Sequence, residues 1–224
     1  MFHVKHPLSS IPALTPSPNQ ATAPHVLSSE CEKQLRIYVQ LLGQWRTGIN
    51  LISEASFADV WTRHVADSAQ LLDYASSARR WVDLGSGAGF PGMVIAIQLA
   101  RYPDAVVHCI ESDKRKAAFL RQVARVTGAP AVIHVNRIEL LDANSMSTVD
   151  AVTARGLAPL LRLVDYAKVW LRNGATGIFP CGRSAQKQVQ ELAQAPGLEI
   201  ESFPNKFEPG ARIVRVRCAT QGQP

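Results

Sequence analysis

Apolar positions along this chain repeat with two different periods. Short, nearly continuous apolar runs fall at 80–84, 105–111, 131–135, 150–154, 174–179, 198–203 and 212–218, each of strand length. Between them, apolar residues recur every three or four positions at 91–102, 114–127, 157–171 and 184–194, the period of an amphipathic helix. Strand and helix alternate, which predicts an α/β fold: a Rossmann-like, doubly wound, seven-stranded and mostly parallel sheet. Ahead of it, Leu35, Tyr38, Leu42 and Trp45, joined by Val39, mark one face of a helix over 30–46. Ser28 or Ser29 is placed to cap that helix, with Glu32 three after Ser29 as in a capping box. A second helix is expected over 57–74, and the two form an N-terminal helical addition packed on the sheet.

Residues 1–27 hold prolines at 7, 12, 16, 18 and 24 among Ser, Thr and Asn and lack an apolar leader core. They read as a disordered arm rather than a signal peptide. The expected organisation is an arm over 1–27, a helical subregion over 28–78 and a cofactor-binding domain over 79–220. A hydrophobic content of 46% is ordinary for a soluble globule. The net charge of +6 and a pI of about 9.4 favour a polyanionic partner without specifying one. Cys31, Cys109, Cys181 and Cys218 are scattered, with no CxxC and no metal spacing, which suits a reducing cytosol and predicts no metal site. No apolar run approaches the length of a membrane span, so no membrane association is expected; a monomer in the cytoplasm is the accompanying expectation.

The organising stretch is WVDLGSGAGFPG at 81–92, a buried strand, a glycine turn and a helix opening at Pro91. Glycines at 85, 87 and 89 leave bare backbone against which a ligand can lie. Gly87, Gly89 and Gly92 satisfy the dinucleotide fingerprint G-x-G-x-x-G, which is weak alone. Asp83, two positions before Gly85, discriminates. A carboxylate beside a pyrophosphate repels it, whereas the ammonium and sulfonium of S-adenosylmethionine are attracted. Asp83-x-Gly85-x-Gly87-x-Gly89 therefore favours the methyl donor over a dinucleotide, with an empty strand-to-helix turn as the third reading.

Other candidates follow from position. Glu111 lies 22 residues beyond Gly89, the interval at which such folds set a carboxylate on ribose hydroxyls; a helix-capping acid is the alternative. Asn136-Arg137-Ile138-Glu139 follow the third strand at the carboxyl edge, where an adenine would lie, and Arg155 follows the fourth strand at the same edge. Arg63 and Asp67, four apart on a helix, are spaced to pair. His64 suits either a buried hydrogen-bonding role or the mouth of the cofactor site, and Arg63 and His64 are also candidate RNA contacts. The basic helix carrying Lys114, Arg115, Lys116, Arg121 and Arg125 is either a solvated face or one that meets RNA.

The fourth strand limits the chemistry. Methylating an exocyclic amine usually needs a Pro-Pro-aromatic turn there, and this chain has Thr153-Ala154-Arg155-Gly156. Methylating C5 of a pyrimidine needs a cysteine nucleophile, and Cys181 follows the fifth strand instead. The remaining targets already present a lone pair and need alignment rather than a base. Guanine N7 and small-molecule nucleophiles both qualify.

RHVADS at 63–68, VDLGSGAGFPG at 82–92, IESDKRKAAFLRQV at 110–123, NRIE at 136–139 and TARGLAPL at 153–160 resemble the ribosomal RNA small subunit methyltransferase G family, also called glucose-inhibited division protein B. The likeness covers roughly residues 30–217. It implies a class I methyltransferase fold and S-adenosylmethionine-dependent N7-methylation of a guanine in the decoding-region loop of 16S ribosomal RNA. The implied partner is that RNA or the small ribosomal subunit, in the bacterial cytoplasm. By the same resemblance Gly85 and Phe90 meet the cofactor, Ile138 and Glu139 flank its adenine, and Arg155 lies at the active face as the catalytic candidate. Cys181, in Phe-Pro-Cys-Gly-Arg, stands where family members often carry a basic residue, and Arg183 and Lys187 are candidates to supply that RNA contact. Two rival readings remain. A nicotinamide oxidoreductase is disfavoured by Asp83 and by the lack of a hydride-directing acid–base pair. A non-catalytic RNA-binding module is disfavoured by the acidic set Asp83, Glu111 and Glu139.

Overall fold

A computed structural model describes residues 28–142, 146 and 148–219; the arm expected over 1–27 lies outside the described residues. Seven strands form one sheet: β1 (Arg80–Leu84), β2 (Val106–Ile110), β3 (Ala131–His134), β4 (Ala151–Thr153), β5 (Thr176–Cys181), β6 (Leu198–Pro204) and β7 (Arg212–Cys218). Their order is β3-β2-β1-β4-β5-β7-β6. The first five strands run parallel, and β7 is antiparallel to both β5 and β6. The chain steps outward from β1 through β2 to β3, then returns to β4 on the other side. That reversal opens a crevice at the carboxyl ends of β1 and β4, where doubly wound sheets bind ligands.

β1 is central, and Trp81, Val82, Asp83 and Leu84 are all fully buried. Strand alternation sends Trp81 and Asp83 to one face and Val82 and Leu84 to the other. On the first face pack Leu35, Tyr38 and Leu42 of α1 (Ser29–Trp45), Met93 to Ile97 and Leu99 of α4 (Gly92–Leu99), and Phe119 and Leu120 of α5 (Lys114–Thr127). On the second pack Leu160, Leu163, Ala167 and Leu171 of α6 (Leu160–Arg172), while Leu192 of α7 (Gln186–Ala193) joins the same cluster. All eight residues of α4 are buried, because it fills the space between the sheet and α1. Ser28 caps α1 by accepting the Cys31 N–H at 3.2 Å; Glu32 pairs with Arg36 instead of closing a capping box. Asp113 caps α5, accepting the Arg115 and Lys116 N–H groups.

The continuous helix expected over 57–74 is instead several pieces. These are α2 (Glu54–Ala58), a π turn (Trp61–Ala66), α3 (Asp67–Ala69) and a 3-10 turn (Gln70–Tyr74). The π turn breaks the spacing that an i,i+4 pair needs. The expected Arg63–Asp67 pair is accordingly replaced: Arg63 is exposed, and buried Asp67 faces Arg155. Among the described residues no helix is long and apolar enough to cross a membrane.

Candidate cofactor and substrate cleft

The glycine turn forms one wall of a cavity of about 520 Å³ at the sheet's switch point. The other walls are Glu111 and Ser112 after β2, residues 136–139 after β3, and residues 155–157 after β4, with Leu51, Ile52, His64, Lys116 and Tyr166 at the sides. Gly85 has φ +67°, a backbone conformation glycine adopts without strain, and a Cβ there would sit 2.7 Å from Leu157 Cδ1, so the leucine would have to shift. Gly87, at φ +55°, differs: a Cβ there would meet nothing nearer than the Gly85 carbonyl at 3.8 Å. That bare stretch is free for a ligand. Leu157 reaches the turn because α6 starts only at Leu160, after extended Pro159, and not at 157 as the periodicity suggested.

Glu111 joins the turn to β2. Its Oε2 accepts the Gly87 N–H at 2.8 Å and its Oε1 accepts the Asp113 N–H at 2.7 Å. Each carboxylate oxygen keeps a further lone pair. The acid therefore shapes the loop and lines the cavity at once.

Asp83 is placed differently from the sequence expectation. It does not line the cavity, because its strand parity turns it under α4. Its Oδ2 accepts the Gly92 N–H at 3.1 Å, and a Cβ on residue 92 would collide with that oxygen. Burial pushes its pKa up to about 7. Attraction of a cationic ligand would act from beneath the turn rather than by contact. Gly89 likewise stays off the cavity wall and instead packs against Tyr38 and Met93.

Beside the residues that follow β4 stands a chain of three polar residues. Arg155 Nη2 donates to His64 Nδ1 at 2.5 Å, and Nη1 lies 3.3 Å from Asp67 Oδ2. A guanidinium only donates, so Nδ1 accepts and the His64 proton sits on Nε2. His64 is buried, lines the cavity and stacks on Phe90 with ring centroids 4.8 Å apart. Burial, then the charge of Arg155, pushes its pKa down to about 4.

Of the residues singled out for the cofactor, Gly85, Gly87, Phe90, Glu111, Ile138, Glu139 and Arg155 line the cavity. Of those singled out for RNA, His64 and Lys116 do so. Arg63, Lys114, Arg115, Arg183 and Lys187 are exposed away from that wall, with Arg183 donating to the Pro209 carbonyl at 2.8 Å. Two contributors escaped the sequence reading. Tyr166 donates to Glu139 Oε1 at 2.7 Å across the cavity mouth, and Tyr38 donates to the Ala88 carbonyl at 2.6 Å, pinning the glycine turn from below. Both lie on helical apolar faces, so periodicity marks them as packing and gives no sign of the hydroxyl's partner.

Comparison with known proteins agrees with this geometry. A family model described as "rRNA small subunit methyltransferase G" matches residues 31–209. A protein of that name from Methylobacterium sp. (strain 4-46) is 44% identical over 199 residues, covering 88% of this chain and 93% of its own. Another, from Parvibaculum lavamentivorans, is 40% identical over 223 residues, covering 98% of each chain. Among solved structures, a SAM dependent methyltransferase from Aquifex aeolicus aligns with a TM-score of 0.57 at 12% identity, over 72% of this chain and 93% of its own, which shows the shared fold. The cofactor is S-adenosylmethionine, and the cavity suits it: bare backbone at Gly87, an acidic acceptor at Glu111 and apolar Ile138 beside Glu139. This chain belongs to the rRNA small subunit methyltransferase G family.

Proposed function

We propose that this protein transfers the methyl group of S-adenosylmethionine to N7 of a guanine in the decoding-region loop of 16S ribosomal RNA, acting in the bacterial cytoplasm on that RNA or on the small ribosomal subunit. The relatives' printed names support the RNA class. The observation that carries the choice of atom is the His64–Arg155 contact. With Nδ1 taken up by the guanidinium and its pKa near 4, His64 is a poor base at neutral pH. A target needing deprotonation finds little help there, whereas guanine N7 already presents its lone pair.

Alternative targets fit less well. Cys181 is buried, donates to the Phe179 carbonyl at 3.4 Å, lies off the cavity wall and has its thiol pKa pushed up to about 12 by burial. It is unsuited to attack a pyrimidine. Bound S-adenosylmethionine supplies the electrophilic methyl group. The chain's own part is orientation: Glu111 and Glu139 hold the donor, Arg155 places the target base, and the basic face of α5 meets phosphates. Purified protein incubated with labelled S-adenosylmethionine and small-subunit RNA should yield 7-methylguanosine on nucleoside digestion. Label in an N2-methylguanosine or 5-methylcytidine fraction instead would refute the assignment.

A further inference from the structure

Arg155 is held by a network that reaches the far edge of the sheet. Asn205 opens the β6–β7 loop, and its Oδ1 accepts the N–H groups of Phe207 at 2.8 Å and Glu208 at 3.0 Å. Its Nδ2 donates to Asp67 Oδ1 at 2.6 Å. Gln70 Nε2 donates to the same Asp67 oxygen at 2.8 Å and to Asn205 Oδ1 at 3.1 Å, while Gln70 Oε1 accepts the Lys206 N–H at 3.1 Å. Asp67 is 5% exposed and Gln70 4%. Two side-chain amides thus occupy Oδ1 and fix the carboxylate plane, leaving Oδ2 directed at Arg155 Nη1, 3.3 Å away.

We propose that Asn205 and Gln70 are positioning residues for methyl transfer, acting through Asp67 to set the orientation of Arg155. This rests on the reading that Arg155 faces the target base. Asp67 is buried and Arg155 half-buried, and such an ion pair offsets its desolvation only in good geometry with the remaining lone pairs hydrogen-bonded. Without the two amide donors the carboxylate is free to turn, and the long arginine side chain turns with it. Catalysis by alignment is sensitive to such a shift, because a misplacement of about 1 Å can cost on the order of a hundredfold in rate.

Asn205→Asp and Gln70→Glu test this with little change of shape. Each exchanges one NH2 for oxygen. The first substitution keeps an oxygen to accept the Phe207 and Glu208 amides, and the second keeps one for the Lys206 amide. Each removes a donor to Asp67 and sets a second carboxylate against it. Single-turnover methyl transfer would be measured at saturating cofactor and RNA, below the melting midpoint, in the wild-type and Arg155→Ala backgrounds. We expect each variant to slow transfer at least about tenfold, with cofactor Kd within about twofold and no further slowing in the Arg155→Ala background. An unchanged rate in both variants, or an equal slowing when Arg155 is already replaced by alanine, would overturn the inference and leave the reading of Arg155 standing. If Arg155→Ala alone leaves the rate unchanged, that reading falls and takes the inference with it.

Discussion

Glu111 accepts the Gly87 N–H through Oε2 at 2.8 Å, and so ties the end of β2 to the barest part of the glycine turn. Its Oε1 meanwhile accepts the Asp113 N–H. If this acid also receives ribose hydroxyls, Glu111→Ala leaves those hydroxyls and the Gly87 amide without a charged acceptor. The expected cost is about 2 kcal/mol, or roughly thirtyfold in S-adenosylmethionine affinity, measurable by calorimetry. An affinity within about twofold of wild type would confine Glu111 to shaping the loop.

Asp83 makes a pH prediction. Its folded pKa of about 7 stands above the ordinary 3.8, so between those values the folded state holds a proton that the unfolded state releases. Stability from this group is therefore present at low pH and lost as pH rises through that window, with a slope of about 1.4 kcal/mol per pH unit. His64, lowered from 6.5 to about 4, gives the opposite slope below 6.5, and comparing variant with wild type cancels it. Asp83→Asn keeps an acceptor for the Gly92 N–H and cannot ionise. It should melt above wild type at pH 8 and converge with it near pH 4, while binding S-adenosylmethionine more weakly at pH 8. Parallel melting curves across this range would show that Asp83 is not protonated on folding.

Much of this architecture was legible because buried parallel strands are written as short apolar runs. The observed strands β1, β3, β6 and β7 begin where the runs begin, and β2, β4 and β5 start one or two residues later. The carboxyl-edge position of Ile138, Glu139 and Arg155 follows from strand order, and that of Glu111 from its interval after Gly89. What failed was finer than periodicity can report. Asp83 was placed in the cavity by its proximity to the glycines, yet strand parity and the close approach of Gly92 turn it under α4. The Arg63–Asp67 pair assumed regular α winding, and the π turn at Trp61–Ala66 removes it. The Asp67–Arg155–Asn205 cluster joins three segments far apart in sequence, and no local pattern announces which polar side chains meet across a fold.

The basic face of α5 makes a salt-dependence prediction. Lys114 and Arg115 are exposed, and Lys116 sits at the cavity wall. Replacing all three with glutamine should weaken RNA binding and reduce the slope of log affinity against log salt by about 0.7–0.9 for each phosphate contact removed. Filter binding at several salt concentrations measures it. An unchanged slope would mean the helix presents a solvated face only.

Because guanine N7 needs no deprotonation, the single-turnover rate should stay nearly flat across about pH 6.5–8.5 at saturating substrates. His64→Gln should leave the profile flat even where it disturbs RNA placement. A steep rise through neutral pH that vanishes in His64→Gln would reveal a general base and contradict the N7 assignment.

The proposed function rests on methylation at N7 of one guanine in small-subunit ribosomal RNA. Chain scission at 7-methylguanosine after borohydride and aniline treatment reads it most directly, applied to RNA from cells with the gene, without it, and complemented with wild type or Arg155→Ala. Scission at a single guanine of the decoding-region loop should occur with the gene intact, disappear on deletion, return with wild type and fail to return with Arg155→Ala. Scission that persists unchanged in the deletion strain, or a methyl group lost from a different atom, would contradict it.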